Sequence, residues 1–337
     1  MPEQFRSNVV LNKTVSGLWN ASIANNTRNV YETGFRHFVI FMLMNNFKFV
    51  VLPPISEDIL IFFIAHCFQL LKLQYSTIKL YLCGIRYKYL QSSFRDPLET
   101  ENGTPLPRLA YILNSVKKQQ KPTNNNRLPI TFEILEKIIL CLRQGVFNPF
   151  LDLMLETVCT IGFYGFMRCG EFTVLKAINF DPSVNLCLGD ILFQKDVAVL
   201  KLKQSKTDPF RKGINIQLHQ VQNHICPYKI LIKYLKVREN VGLRLATDPL
   251  FISNNCQALE RQYFINCLKH ILGLCGFNPD HYNGHSLRIG AATSAGKAHI
   301  EDHLIKVLGR WSSDSYCRYI RVSTSVIKHA QNLLGKF

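Results

Sequence analysis

Toward the end of the sequence His285-Ser286-Leu287-Arg288 is followed by Gly309-Arg310-Trp311 and then by Tyr319-Ile320-Arg321. A histidine and an arginine three residues apart share one face of a helix. A guanidinium offers a fixed fork of donors to an oxyanion, and an imidazole moves protons near neutral pH. A tyrosine phenol is a weak nucleophile near pH 7 and attacks phosphorus only where cations withdraw the phosphate's charge. Upstream, Arg168 adds a second guanidinium and Lys206 a mobile ammonium able to protonate a leaving oxygen. Arg168, Lys206, His285, Arg288, Trp311 and Tyr319 together read as a clamp for a phosphodiester with a nucleophile beside it.

Each residue also has a plainer reading. Arg168 lies in Gly165-Phe166-Met167-Arg168-Cys169-Gly170-Glu171, so Glu171, three residues on, can hold its guanidinium as an ordinary local ion pair. Lys206 stands among Lys203, Arg211 and Lys212 in what could be only a solvated basic loop. A lone histidine is usually structural, but an arginine on the tightly packed segment Ile289-Gly290-Ala291-Ala292 is costly to bury without an anion. Trp311 is a core plug or a wall of the site with an indole N–H for a phosphate oxygen. Tyr316 competes with Tyr319, since both fall on one short predicted helix.

The elements that must position these groups divide the chain in two. Residues 1–121 read as helices after a polar lead-in: Thr27 to Asn45, a helix from a Ser56 cap to Leu71, one capped by Ser76 with Ile78, Leu82, Ile85 and Tyr89 on its apolar side, and Leu106 to Gln119. The proline-bracketed, Asn-rich stretch 122–129 reads as a linker. Residues 130–337 open with helices at Thr131–Gln144 and Pro149–Tyr164. Strands follow at 191–193, 197–203 and 214–218, the last two joined by the basic connection that carries Lys206. Helices return at 228–240, 261–274, 285–298, 303–309, 314–319 and 324–334. The fold class is mainly α with a small antiparallel sheet.

Bulk composition narrows the partner. The 337 residues hold 40 Lys+Arg against 23 Asp+Glu, a formal charge of +17, which favours a polyanion. Membrane is the weaker choice, because the most apolar run, Ile59 to Cys67, falls well short of the roughly 20 residues that span a bilayer. No secretory leader is legible, and the 11 scattered cysteines form no CxxC pair, so a reducing intracellular setting without disulfides or a structural metal is expected.

The ordered set Arg168, Lys206, His285-x-x-Arg288, Trp311 and Tyr319 in a basic two-domain chain resembles the tyrosine recombinase/integrase (phage integrase) family. The Gly309-Arg310-Trp311 and Tyr319-Ile320-Arg321 phrasing looks most like the recombinases of DIRS-like and Crypton mobile elements. The resemblance spans about residues 26–335, with specific motifs in the second domain and only a helical layout in the first. It implies an N-terminal helical core-binding (SAM-like) domain and a C-terminal catalytic domain forming a C-shaped clamp on double-stranded DNA. Arg168 and Arg288 would bind the scissile phosphate, with Glu171 supporting Arg168. Lys206 would act as general acid and His285 would assist proton transfer. Trp311 would hold the His/Trp position, and Tyr319 would be the nucleophile of a 3′-phosphotyrosyl intermediate; the following Ile320-Arg321 favours it over Tyr316. No cofactor, metal or ATP is implied. Arg36, Lys79 and Arg86 would contact DNA, a C-terminal helix would join four copies on two DNA sites, and the setting would be the nucleus. Alternatives are a type IB topoisomerase-like activity and a domesticated DNA-binding protein without catalysis.

Overall fold

The computed structural model describes residues 8–47, 52–120, 127–205, 208, 212–241, 244–319 and 331. The chain separates into two compact units, Met1–Thr123 and Asn124–Phe337. Lys206, much of the basic connection around it and, apart from residue 331, the predicted C-terminal helix 324–334 lie outside the described residues.

The first unit is helical: α1 (Val9–Ala21), α2 (Asn25–Met44), α3 (Glu57–Gln69), α4 (Tyr75–Gln91) and α5 (Pro107–Gln119). Its core is drawn from α2 to α5, with Phe38, Phe63, Ile64, Ile78 and Ile85 nearly or fully out of water. Ser56 caps α3 by accepting from the Ile59 N–H at 3.4 Å, and Glu57 and Asp58 follow in the first turn, where carboxylates meet the positive end of the helix dipole. The expected Ser76 cap of α4 is not the one used. The helix begins two residues earlier than that cap implies, at Tyr75, whose N–H donates to Gln120 Oε1 at 2.6 Å, while Gln120 Nε2 donates to Leu73 O at 2.8 Å. A side chain distant in sequence thus supplies the cap that local chemistry assigned to serine. The expected DNA-contact residues Arg36, Lys79 and Arg86 are exposed on α2 and α4. Arg86 is already engaged by Asp96 and Glu99.

The second unit builds around α7 (Pro149–Tyr164), buried without interruption from Leu151 to Phe163, with α6 (Phe132–Arg143) beside it. Asn148 caps α7 by accepting from the Leu151 N–H at 3.0 Å. After the short helix α8 (Cys169–Phe172) come β1 (Ile191–Gln194), β2 (Val197–Leu202) and β3 (Ile214–His219), an antiparallel sheet in the order β1-β2-β3. Ile191 pairs with Leu200, and Leu202 with Ile214. Alternation fixes the inner face: Ala198, Leu200 and Leu202 of β2 and Ile216 and Leu218 of β3 are buried. The unit closes with α9 (Pro227–Arg238), α10 (Arg261–Leu274), α11 (Ser286–Lys297) and α12 (Asp302–Leu308). The predicted helix at 314–319 is a 3₁₀ segment, Asp314–Arg318. Among the described residues, no helix is long and apolar enough to cross a membrane.

Candidate functional site

Two helix ends meet to form the site. At the end of α7, Gly165 is the cap and Phe166 turns back with φ +47°; the Phe166 N–H bonds Phe163 O at 3.0 Å and the Met167 N–H bonds Gly162 O at 2.9 Å. At the end of α12, Gly309 is the cap and Arg310 has φ +56°; the Arg310 N–H bonds Val307 O at 2.9 Å and the Trp311 N–H bonds Lys306 O at 3.0 Å. Both are the paired-bond helix stop that usually places glycine in the left-handed position. Here a phenylalanine and an arginine hold that conformation, each at a cost of about 1 kcal/mol. The return for this strain is placement: the carbonyls and side chains of the two stops bond each other.

Arg288 sits between them on α11, 3% exposed. Its Nη1 donates to Phe166 O and its Nη2 to Gly309 O. Its guanidinium carbon lies 4.5 Å from the centre of the Trp311 ring. The sequence alone made a buried arginine without an anion look unaffordable; the carbonyls at two helix ends, where the dipoles are negative, and an aromatic face hold the charge. Burial, then the nearby Arg168 and Arg310 charges, push the Arg288 pKa down, against Glu171, which raises it. A guanidinium stays charged under such pressure, so the shift expresses a positive potential that an oxyanion would relieve.

Helix α11 reaches this depth because it is small-sided. A Cβ on Gly290 would lie 1.7 Å from Ile130 O, so only glycine lets the segment before α6 cross the helix. The Ile130 N–H bonds Ser286 O at 2.9 Å, and the Phe132 N–H bonds Ser294 Oγ at 3.0 Å. Leu128 also donates to His281 O at 2.8 Å. Gly309 is needed for a similar reason, since a Cβ there would meet the Trp311 ring at 1.6 Å.

Arg168 stands immediately before α8, and Glu171 organises its surroundings. Glu171 Oε2 accepts from the Arg168 backbone N–H at 2.8 Å and from Arg310 Nη2 at 3.0 Å. Oε1 accepts from Arg168 Nη1 and from Ser205 Oγ, each at 3.1 Å. Arg168 Nη1 also donates to Ser205 Oγ at 3.0 Å. The Glu171 side chain is 5% exposed. Burial raises its pKa, but the Arg310 charge, the Arg168 N–H and the Arg168 charge together bring the carboxyl below its usual value. Ser205, one residue before Lys206, thereby ties the start of the basic connection to Arg168. Lys203, by contrast, is fixed away from this cluster by Asp190, Pro182 O at 2.8 Å and Asn185 O at 3.3 Å.

Trp311 is a wall of the site as well as a packing residue. Its ring meets Phe166 edge-on at 6.1 Å, Tyr316 at 5.9 Å and Tyr319 at 5.8 Å. Tyr316 is buried, at 6% exposed, while Tyr319 is half-buried. Tyr319 is fixed from two sides: its N–H bonds Tyr316 O at 2.8 Å, and its carbonyl accepts from Thr293 Oγ1 of α11 at 2.7 Å. The two tyrosines therefore occupy different environments, because the 3₁₀ segment ends before Tyr319. His285 lies just ahead of α11 rather than within it. It is exposed where Arg288 is buried, and its N–H donates to Asn283 Oδ1 at 2.9 Å.

The described residues thus bring Arg168, Glu171, Arg288, Trp311 and Tyr319 into one bonded and stacked cluster, and place His285 one turn before Arg288. Two participants were missed as site residues in the sequence, Arg310 and Ser205. Arg310 was within a quoted motif, but nothing in its spacing distinguished it from a surface charge beside the tryptophan. Ser205 carried no signal.

No family model and no curated protein matches the chain. Solved structures do share its fold. XerH site-specific recombinase bound to palindromic difH substrate, in a post-cleavage complex, superposes with a TM-score of 0.63 at 18% identity, covering 92% of this chain and 80% of that one. Tn1549 transposon integrase in complex with transposon right end DNA gives 0.57 at 11% identity, with 93% and 95% covered. A lambda integrase dimer bound to a COC' core site gives 0.55 at 15% identity, with 92% and 76% covered. The chain shares the fold of these recombinases and integrases, a helical N-terminal unit followed by a unit of helices and a small three-stranded sheet.

Proposed function

We propose that this chain is a site-specific DNA recombinase or integrase that cleaves and rejoins strands through a 3′-phosphotyrosyl intermediate. The observation that carries the reading is the packing of Arg288 and Tyr319 against Trp311, with Arg168 tied through Glu171 to the neighbouring Arg310, in a chain of this fold. Tyr319 Oη attacks the scissile phosphorus, the P–O bond to the 5′-oxygen breaks, and a 3′-phosphotyrosine and a free 5′-hydroxyl result. Arg168 and Arg288 receive the charge that builds on the non-bridging oxygens, the stabilisation a metal ion provides in other phosphoryl-transfer sites. Lys206 protonates the departing 5′-oxygen, and His285 assists proton transfer. Attack by a partner strand's 5′-hydroxyl reverses the step, so the ester bond energy is conserved and no ATP is consumed.

The half-buried Tyr319 supports its choice over Tyr316, which is packed into the core. Exchange between two sites requires cleaved partners to be held together, and we propose a tetramer on two DNA sites joined through segment 324–334. Arg36 and Lys79 are the better candidates for phosphate contacts in the first unit, because Arg86 is engaged by two carboxylates.

The test begins with duplexes selected for binding from a random library, rebuilt as nicked suicide substrates. Wild type forms a covalent adduct with a free 5′-hydroxyl, Tyr316→Phe retains it and Tyr319→Phe loses it. No adduct on any bound site refutes the enzyme reading and leaves a DNA-binding protein. An adduct from Tyr319→Phe refutes the nucleophile assignment. Supercoil relaxation without recombination of paired sites identifies a topoisomerase-like activity.

A further inference from the structure

Arg310 makes an uneven set of bonds. Its Nη2 is crowded by three acceptors, Gly165 O at 3.4 Å, Phe166 O at 3.1 Å and Glu171 Oε2 at 3.0 Å. Its Nε and Nη1 are closed off from water and have no acceptor among the described residues. A guanidinium serving only to clip two segments together would be expected to distribute its donors, since a buried donor left unmade is costly. Its neighbours sharpen the imbalance. Arg310 and Arg288 share Phe166 O, and Arg310 and Arg168 share Glu171. Two guanidiniums therefore pair with one carboxylate while the third, Arg288, rests on carbonyls, and among the described residues no second carboxylate pairs with any of the three. Burial, then the Arg168 charge, lower the Arg310 pKa, with Glu171 opposing. The backbone at Arg310 is also held in the left-handed region, which only a well-determined surrounding sustains.

We infer that Arg310 is a third oxyanion-binding guanidinium, which offers Nε and Nη1 to a phosphate shared with Arg168 and Arg288. The ligand class is a tetrahedral phosphate, in the duplex a phosphodiester of the backbone. This deepens the proposed function and rests on it for the identity of that phosphodiester. The anion site itself does not depend on Tyr319. Glu171 acts as the counter-charge that keeps three like charges together until the phosphate arrives, and Nη2 stays on Glu171 and Phe166 while the other two nitrogens take the anion.

The probe is inorganic phosphate, titrated into the full chain at low ionic strength. Trp311 lies against Arg288 and is one of only two tryptophans, so with Trp19→Phe in the background its fluorescence reports occupancy. The proposal expects saturable phosphate binding by the parent chain. Affinity falls at least about tenfold in Arg310→Gln, the loss expected from one charge-assisted hydrogen bond. Arg310→Lys falls between them, since it keeps the charge and loses the planar donor set. A second measurement reads the parent chain itself. In the parent chain labelled with ¹⁵N-arginine, the Arg310 Nε–H resonance, assigned by its absence in Arg310→Lys, shifts as phosphate is added. Unchanged affinity in a folded Arg310→Gln, a stationary Arg310 resonance or no phosphate binding by the parent chain each overturns the inference. The two readings separate cleanly. An adduct with Arg310-independent phosphate binding sinks only this inference, whereas Arg310-dependent binding with no adduct sinks only the recombinase reading.

Discussion

Replacing Glu171 by glutamine tests the electrostatic arrangement with little change of shape. The carboxylate accepts four hydrogen bonds: from the Arg168 N–H, Arg168 Nη1, Ser205 Oγ and Arg310 Nη2. A glutamine keeps one acceptor oxygen and turns an NH₂ toward donors at the other, so two of the four bonds are lost and donor faces donor. Each bond to a charged group contributes about 1.5–3 kcal/mol. The Glu171 side chain is only 5% exposed and its arginine partners 16% and 12%, so solvent screening trims little from this. Removing one member of such a buried set costs about 3–5 kcal/mol by a separate route, and the two figures agree. We expect Glu171→Gln to destabilise the second unit by about 3–5 kcal/mol at pH 7, read from urea unfolding followed by Trp311 fluorescence in a Trp19→Phe background. The pH dependence supplies a signature that packing alone would lack. The folded Glu171 pKa is lowered, so its contribution is present above the carboxyl's unfolded pKa and is lost as pH falls through the lower folded value. The gap between parent and Glu171→Gln should therefore be constant near neutrality and close below about pH 4.3, the ordinary glutamate value. A gap under about 1 kcal/mol at pH 7, or one that persists unchanged into the acid range, would refute the reasoning.

Further outcomes follow from the same geometry. Gly290→Ala must move α11 away from Ile130; overpacking plus a weakened Ile130–Ser286 bond should cost about 3 kcal/mol and lower Tm by about 6–12 °C, measured by thermal unfolding of the second unit. Trp311→Phe should cost about 1 kcal/mol through a weaker hold on Arg288, and Trp311→Ala about 3 kcal/mol, both by urea titration followed by circular dichroism. Thr293→Val removes the hydroxyl that holds the Tyr319 carbonyl; it should cost about 1 kcal/mol and slow adduct formation while leaving phosphate affinity unchanged.

Local chemistry made much of the fold legible. The buried helix Pro149–Tyr164 has the bounds that the sequence suggests, with Pro149 opening it. Strands β2 and β3 follow from alternation, because one face of a small sheet must be apolar. The α4 start was misplaced because a capping serine competes with Gln120, a partner 45 residues away that no local rule sees. The 3₁₀ turn at 314–318 reads as a helix because a short apolar spacing cannot distinguish the two windings.

Residue types and order alone determined that a basic, two-part, mainly helical chain carries arginines, a histidine, a tryptophan and a tyrosine suited to phosphate chemistry. Tertiary structure decided how that charge is held. Two helix stops in the left-handed conformation, at Phe166 and Arg310, aim their carbonyls and donors at each other across the chain. Arg288 rests on their carbonyls and on Trp311, and one buried carboxylate answers Arg168 and Arg310 together. Sequence spacing carries the periodicity of single elements, whereas the cost of a buried charge depends on which groups converge on it. Only the packed chain fixes that convergence, which is why nothing in the sequence set Arg310 apart from its motif until its buried donors were placed beside two other guanidiniums.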